Sequence, residues 1–391
     1  MDEKRVILKP GKEKAVLKRH PWIFSGAIAQ LPAFEGGDVL PVYSSAGNFL
    51  AKAYFHPKNS IAGRILTFDV AEEIEQALSK RIDRAIALRK KLFDPSETNC
   101  YRLINSEGDE IPGFIADLYD DVLVLQFNTA GMERLRPIML QLLKEKLDLR
   151  AIYEKSSSSS RKHEGLADRE ETLFGSCPEK IVVRENGISF AVDLKGGQKT
   201  GFFLDQREMR HLIGLHARRK RVLNCFSYSG GFSLFALKAG AHEVVSIDCS
   251  EAACRLAKEN TLINHLDLKR HQIVCGDVFE YLAKHPLDFD LVILDPPAFA
   301  KKREDVVAAC TGYKRINRLA FERMPRGSLL LTCSCSYHID AELFQNLIFQ
   351  AALEAKRSVK IISRHIQAND HPISLFHPEG EYLKSLLVYI E

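Results

Sequence analysis

Apolar positions along the chain change their spacing twice. Up to about residue 70 they alternate in short runs, Val39 to Tyr43, Phe49 to Tyr54 and Ile61 to Phe68, separated by the polar punctuation SSAGN and HPKNS. That pattern predicts a compact β-barrel. From Ala71 to Phe93 the spacing becomes helical, with Ile74, Leu78, Ile82, Ile86 and Leu92 near one face, which predicts a connecting helix. A second unit follows from Tyr101 to about Gly175. Its predicted elements are strands at Ile111 to Ala116 and Val122 to Phe127, a helix over Met132 to Leu147 and a strand at Ala151 to Glu154. The five-serine run Ser156 to Ser160 is expected to be an exposed, flexible loop. Asn186-Gly187 marks a hairpin turn into Ile188 to Leu194.

Beyond Arg221 strands and helices alternate. Val222 to Phe226 is a short buried strand and Ser227 to Gly231 a small-residue turn. Phe232, Phe235, Ala236 and Ala239 then recur at helical spacing up to a stop at Gly240. A second apolar strand, Glu243 to Ile247, ends in Asp248. This βαβ unit places a carboxylate about where a nucleotide-binding crossover places its ribose acid, and Gly230 and Gly231 let the backbone approach a ligand. An adenosine-containing cofactor is favoured. The turn is not GxGxxG, which lowers the odds of a dinucleotide, and Asp248 could instead cap the helix starting near Ser250.

Three later strands complete the pattern. Gln272 to Val274 leads into Gly276-Asp277-Val278, Phe289 to Leu294 into Asp295-Pro296-Pro297, and Ser328 to Thr332 into Cys333-Ser334-Cys335. Near-continuous apolar strands belong to a parallel sheet covered by helices, and ligands bind outside its carboxyl ends. Asp248, Asp277 and Asp295 should therefore face one crevice. A cysteine at its mouth is either a nucleophile or inert packing; Cys333 and Cys335 cannot be separated by spacing. Asp340 caps the next helix, striped by Leu343, Phe344, Leu347, Ile348 and Ala351. The expected architecture is α/β: an amino-terminal PUA-like β-barrel over 1–70, a helical connector and α+β unit over 71–180, and a doubly wound, Rossmann-like domain over 181–391.

Composition narrows the class. With 46% apolar residues the chain can bury sizeable cores, and no apolar run approaches the ~18 residues of a membrane span. The nine cysteines show no CxxC pair or His/Cys ligand spacing, so a reduced, cytoplasmic protein without metal is expected. A net charge of +4 says little about partners. Its distribution says more. Lys9, Lys12, Arg19 and His20 lie next to Trp22 and Phe24, either a phosphate-and-stacking surface or a solvated helix with core aromatics. Lys301, Lys302, Tyr313 and Lys314 could likewise hold RNA or be ordinary surface charge.

The segments GFFLDQR (Gly201 to Arg207), NCFSYSGGF (Asn224 to Phe232), IDCS (Ile247 to Ser250), GDVF (Gly276 to Phe279), LDPPAF (Leu294 to Phe299), GYKRIN (Gly312 to Asn317) and TCSCS together resemble one group of S-adenosylmethionine-dependent methyltransferases. That group methylates carbon 5 of a cytosine in large-subunit (23S) ribosomal RNA and opens with a PUA domain, which HPWIFSGAI and GRILTFD resemble. The resemblance implies that Phe203, Asp205 and Arg207 close over the cofactor and that Phe226, Ser227, Tyr228 and Gly230 wrap its methionine end. Asp248, with Cys249 beside it, would bind the ribose. Asp277 and Val278 would flank the adenine, Asp295 would contact the cytosine, and Cys335 would be the nucleophile.

Such a nucleophile fits the chemistry, because carbon 5 of cytosine becomes reactive only after a thiolate adds at carbon 6. The target base must leave its stack first. Two rivals remain at this point: a methyltransferase acting on a ring nitrogen such as that of guanine, which needs no cysteine, and a non-catalytic RNA-binding assembly factor. A homodimer is compatible with the sequence.

Overall fold

The computed structural model describes residues 4–391 and divides into two compact units. The first comprises the chain up to Val183 with Val192–Leu204 and Asn369–Gly380. It opens with a six-stranded sheet: β1 (Val6–Leu8), β2 (Trp22–Phe24), β3 (Ile28–Gln30), β4 (Val39–Tyr43), β5 (Phe49–Phe55) and β6 (Ile61–Thr67), in the order β2-β6-β5-β4-β1-β3, with a one-turn helix α1 (Lys14–Leu17). Alternate residues Val42, Ala51, Ala53, Phe55 and Ile65 fill its interior. Gly63 faces Phe55 so closely that a Cβ would lie 2.6 Å from the ring.

Helix α2 (Ile74–Leu92) then packs with a second sheet, ordered β11-β10-β9-β8-β7, and with α3 (Ala130–Lys146). Its strands are β7 (Cys100–Asn105), β8 (Phe114–Tyr119), β9 (Val122–Phe127), β10 (Ala151–Ser156) and β11 (Arg169–Gly175). One apolar core runs from Tyr54 and Leu66 of the first sheet to Leu103, Phe114 and Met139. The strand expected at Ile111 to Ala116 begins three residues later, because Ile111 to Gly113 form the preceding turn.

The serine run is not a flexible loop. Ser156 ends β10 fully buried and accepts the Phe127 N–H, while the Ser158 hydroxyl caps a short helix α4 (Ser159–His163). Arg161 is buried with them, binding Phe127 O, Ala167 O at 2.5 Å and Glu133 at 2.8 Å. Short hydroxyl side chains supply the caps that the backbone needs there.

Strands β12 (Lys180–Glu185) and β13 (Ile188–Asp193) form a two-stranded sheet. Asn186 (φ 50°) and Gly187 (φ 71°) supply the left-handed pair that a two-residue hairpin loop requires.

The second unit comprises Arg184–Ala191, Asp205–Ala368 and Glu381–Glu391. Its helices are α5 (Arg207–His216), α6 (Gly231–Lys238), α7 (Glu251–Ile263), α8 (Val278–Lys284), α9 (Val306–Arg323) and α10 (Ala341–Glu354). Its strands are β14 (Arg221–Cys225), β15 (Glu243–Asp248), β16 (His271–Cys275), β17 (Leu291–Leu294), β18 (Leu329–Ser334), β19 (Val359–His365) and β20 (Lys384–Ile390), ordered β16-β15-β14-β17-β18-β20-β19. The first five are parallel, and β20 runs antiparallel between β18 and β19. One apolar core gathers α8, α9 and α10, and another gathers α5 and α6, so the sheet is doubly wound. No helix among the described residues is long and apolar enough to cross a membrane.

A buried polar chain ties this sheet together. Asn224 donates to Ser233 Oγ, Ser233 meets Ser246 Oγ at 2.6 Å, Ser246 meets His271 Nε2 at 2.7 Å, and Thr261 meets His271 Nδ1 at 2.7 Å. Burial pushes the His271 imidazole down from 6.5 to about 4. Below pH 6.5 the unfolded chain takes up a proton that the folded chain refuses, so stability present at neutral pH is lost as pH falls toward 4. Between pH 7 and pH 5 the loss from this group is about 2 kcal/mol. Urea unfolding at both pH values should show that much less acid sensitivity in His271→Asn; equal sensitivity in the two proteins would contradict the assignment.

Candidate active site at the carboxyl ends of the parallel strands

Because β14, β17 and β18 are buried on both faces, their polar chemistry collects where the strands end. The turn after β14 is strained. Phe226 (φ 60°) and Tyr228 (φ 46°) are both left-handed, a conformation costing non-glycine residues roughly 1–3 kcal/mol each. Gly230 (φ 78°) then opens α6. Asp248, at the end of β15, helps to hold this turn: Oδ2 accepts the Tyr228 N–H at 2.9 Å and Oδ1 the Ser250 N–H at 2.9 Å. Each oxygen keeps a further lone pair. Ser227 Oγ is buried in the same turn with no hydrogen-bond partner among the described residues. An orphaned hydroxyl beside a half-exposed carboxylate is what a polar, diol-bearing ligand such as an adenosyl cofactor would satisfy.

Asp277 caps α8 by accepting the Glu280 N–H on Oδ1 at 2.8 Å, and the residue is exposed. The Val278 side chain is in the core, so only its backbone can serve a ligand. Cys249 is exposed, and its carbonyl lies 3.8 Å from Cys275 Sγ. In the segment leading into α5, Asp205 is buried and accepts the Tyr382 hydroxyl at 2.7 Å. Arg207 is buried beside Glu185 at 3.5 Å, a carboxylate that Arg210 grips with two 2.6 Å bonds. Arg207 thus belongs to an ion cluster anchoring α5. Phe203 falls in the first unit, with the Lys199 ammonium 4.5 Å from its ring.

Gln206 donates to Asp295 Oδ1 at 2.8 Å, a contact the sequence did not disclose. The next carbonyl, that of Pro296, lies 3.9 Å from Cys335 Sγ. Ser336 locks the two segments together, its hydroxyl accepting the Ala300 N–H at 3.1 Å and meeting Tyr313 Oη at 2.9 Å. Spacing could not separate the two cysteines, but their surroundings do. Strand β18 stops at Ser334, so the alternation that would align them no longer holds. Cys333 is fully buried and burial pushes its thiol well up, whereas Cys335 is partly accessible.

Of the residues expected to hold RNA, Lys12 and Arg19 are exposed, Lys9 donates to Gly26 O at 3.0 Å, and His20 lies 3.5 Å from Glu379. The Arg19 guanidinium lies 4.8 Å over the Phe68 ring and lines a cavity of about 800 Å3 with Lys80, Arg81 and Phe376. Lys301 and Lys302 are exposed, and Lys314 pairs with Glu354 at 2.8 Å. Tyr313 must be withdrawn from the RNA-binding set. It is fully buried between Phe299 and Phe344, and a ring packed on both sides has no face left for a base.

A family model described as S-adenosylmethionine-dependent methyltransferase matches residues 113–378, and one described as PUA-like domain matches residues 6–68. The chain belongs to the S-adenosylmethionine-dependent methyltransferases. Among relatives of this methyltransferase, ribosomal RNA large subunit methyltransferase I of Tolumonas auensis is 42% identical over 390 residues, covering 98% of each chain. The protein of the same name from Alteromonas mediterranea is 42% identical over 388 residues, again 98% of each. A SAM-dependent methyltransferase structure from Streptococcus mutans superposes with a TM-score of 0.84 at 26% identity over 98% of this chain and 99% of that one. A methyltransferase structure complexed with SAH gives 0.85 at 26% identity over 99% and 100%. The enzyme's cofactor is accordingly S-adenosylmethionine, as the architecture of the Asp248 turn suggests.

In the folded methyltransferase, iodoacetamide should modify Cys335 and spare Cys333, read by peptide mass spectrometry; modification of Cys333 at a comparable rate would contradict the described packing.

Proposed function

We propose that this methyltransferase transfers a methyl group to carbon 5 of a cytosine in large-subunit (23S) ribosomal RNA through a covalent adduct on Cys335. The observation that carries the reading is the accessible Cys335 thiol at the end of β18, 3.9 Å from the carbonyl that follows Asp295. A thiol beside the Asp295-Pro296-Pro297 loop at the strand ends suits pyrimidine activation, and a ring-nitrogen methyltransferase has no use for it. The ribosomal RNA names of the relatives, and the PUA-like segment at residues 6–68, support the choice of substrate.

Bound S-adenosylmethionine supplies an electrophilic methyl carbon. Asp248 would accept the ribose hydroxyls, and Ser227 with the Phe226–Gly230 backbone would enclose the methionine end, with Asp277 and the Val278 backbone toward the adenine. Asp205 would close over it, and Arg207 would hold α5 in place. The Cys335 thiolate forms a bond to carbon 6, and the carbon 5–carbon 6 π pair moves to carbon 5, which can then take the methyl group. Asp295, oriented by Gln206, would hydrogen-bond the pyrimidine edge as charge develops there. Loss of the carbon 5 proton restores the double bond, breaks the sulfur–carbon 6 bond and returns the thiolate. Residues 1–70, with Lys9, Lys12, Arg19 and His20, would dock RNA and residues 181–391 would carry the chemistry, joined by 71–180; Lys301, Lys302 and Lys314 would meet the RNA backbone near the crevice.

The test is nucleoside mass spectrometry of unmodified large-subunit ribosomal RNA incubated with enzyme and S-adenosylmethionine. The wild type should yield 5-methylcytosine, and Cys335→Ala should lower turnover by at least about 1,000-fold while cofactor affinity changes less than about threefold. A methylated purine, or product undiminished by the substitution, would overturn the reading.

A further inference from the structure

A buried cation that the sequence did not point to lies beside the Cys335 turn. Strand β20 pairs with β18 in antiparallel register, Ser334 opposite Lys384 and Cys333 opposite Ser385, so Lys384 sits at the point where β18 ends and the Cys335 turn begins. The side chain is buried, 6% exposed. Its ammonium donates to Ser336 O at 2.8 Å and to Tyr382 O at 2.8 Å. One of these acceptors is the carbonyl of the residue directly after Cys335. Lys384 therefore holds the same turn from below that the Ser336 hydroxyl holds through Ala300 and Tyr313.

Two neutral carbonyls occupy two of the three protons of an ammonium and cancel none of its charge. An uncompensated charge at this depth is costly, and among the described residues Lys384 makes no direct ion pair with a carboxylate. Burial pulls Lys384 down from 10.5 to about 8, and the largest influence opposing that pull is Cys335, ahead of Glu381 and Asp340. Attraction is mutual: an ammonium stabilised by a thiolate stabilises that thiolate in return. Tyr313 and Cys333 also sense Cys335, and neither carries a positive charge.

We propose that Lys384 is the positioning residue that fixes the Cys335 turn and keeps the Cys335 sulfur as a thiolate ready to add to carbon 6. The adduct chemistry rests on the function proposed above; the charge relation does not. Cys335 gives its proton to water, Lys384 remains an ammonium throughout, and elimination returns the thiolate to the same cation. By about pH 8 half of the ammonium population has itself lost its proton, so the two groups titrate as a pair.

The test is the pH dependence of Cys335 alkylation by iodoacetamide, followed on its own peptide by mass spectrometry, without RNA or cofactor. The wild type should show a midpoint at least about one unit below the ~8.5 of a free thiol. Lys384→Met should raise that midpoint by about one unit or more, and Lys384→Arg should restore most of the shift. With RNA present, Lys384→Met should lower kcat and leave KM for S-adenosylmethionine nearly unchanged. A wild-type midpoint at or above that of a free thiol would overturn the proposal even if the Met variant failed to fold. So would an unchanged midpoint in a folded Lys384→Met protein. Because alkylation requires no methyl transfer, failure of the cytosine reading would leave this result interpretable, and the reverse also holds.

Discussion

A sheet buried on both faces admits a polar side chain only where a buried partner satisfies it, as in the chain Asn224, Ser233, Ser246 and His271, and that constraint organises the catalytic unit. Strands β14, β17 and β18 are mostly apolar toward the two helical layers, and the acids and the Cys335 thiol stand at or just past the line where the parallel strands stop. Asp248, Asp277, Asp295 and Cys335 are four expressions of one topological fact. The parallel register of β14 with β15 and β17, of β15 with β16, and of β17 with β18 brings these ends level.

Holding these ends in shape requires bonds that the strands cannot supply. The left-handed residues Phe226 and Tyr228 are tolerated because Asp248 accepts the Tyr228 N–H. The same carboxylate is thus a structural anchor and a candidate ligand group. At the other side, Ser336 and Lys384 fix the Cys335 turn through its side chain and its carbonyl, and Gln206 orients Asp295. The Glu185, Arg207 and Arg210 cluster secures α5, the helix that follows Gln206. Removing one partner of such a buried cluster typically costs about 3–5 kcal/mol, because the remaining charge stays buried alone. Precision here comes from backbone acceptors and buried charge more than from apolar packing.

Much of this was legible in the sequence, for local reasons. Asn186-Gly187 announces its hairpin because those two residues tolerate left-handed backbone, and Asp340 announces its helix by capping it. The acids at the strand ends follow directly from apolar runs that terminate in Asp. What could not be read is what depends on distant pairing. Lys384 heads the apolar run of β20, but nothing local says that this strand inserts beside β18 rather than at an edge. Tyr313 looked like a surface aromatic beside Lys314, and helical phase alone did not reveal that its ring meets Phe299 and Phe344. The serines around Ser158 read as a linker because composition does not report capping or the burial of Arg161 behind them. The choice between Cys333 and Cys335 rests on where β18 stops, a one-residue boundary below the resolution of periodicity.

The central claim is a covalent bond between Cys335 and the target base, and the most direct measurement is a trapping experiment. RNA in which cytosine is replaced by 5-fluorocytosine allows addition and methyl transfer but leaves no carbon 5 proton to remove, so elimination stalls and the adduct persists. With S-adenosylmethionine present, the enzyme should form a denaturation-resistant RNA conjugate, and peptide mapping should place the link on the Cys335 sulfur. A link on Cys333 or elsewhere, or methylated RNA with no conjugate at all, would contradict the account.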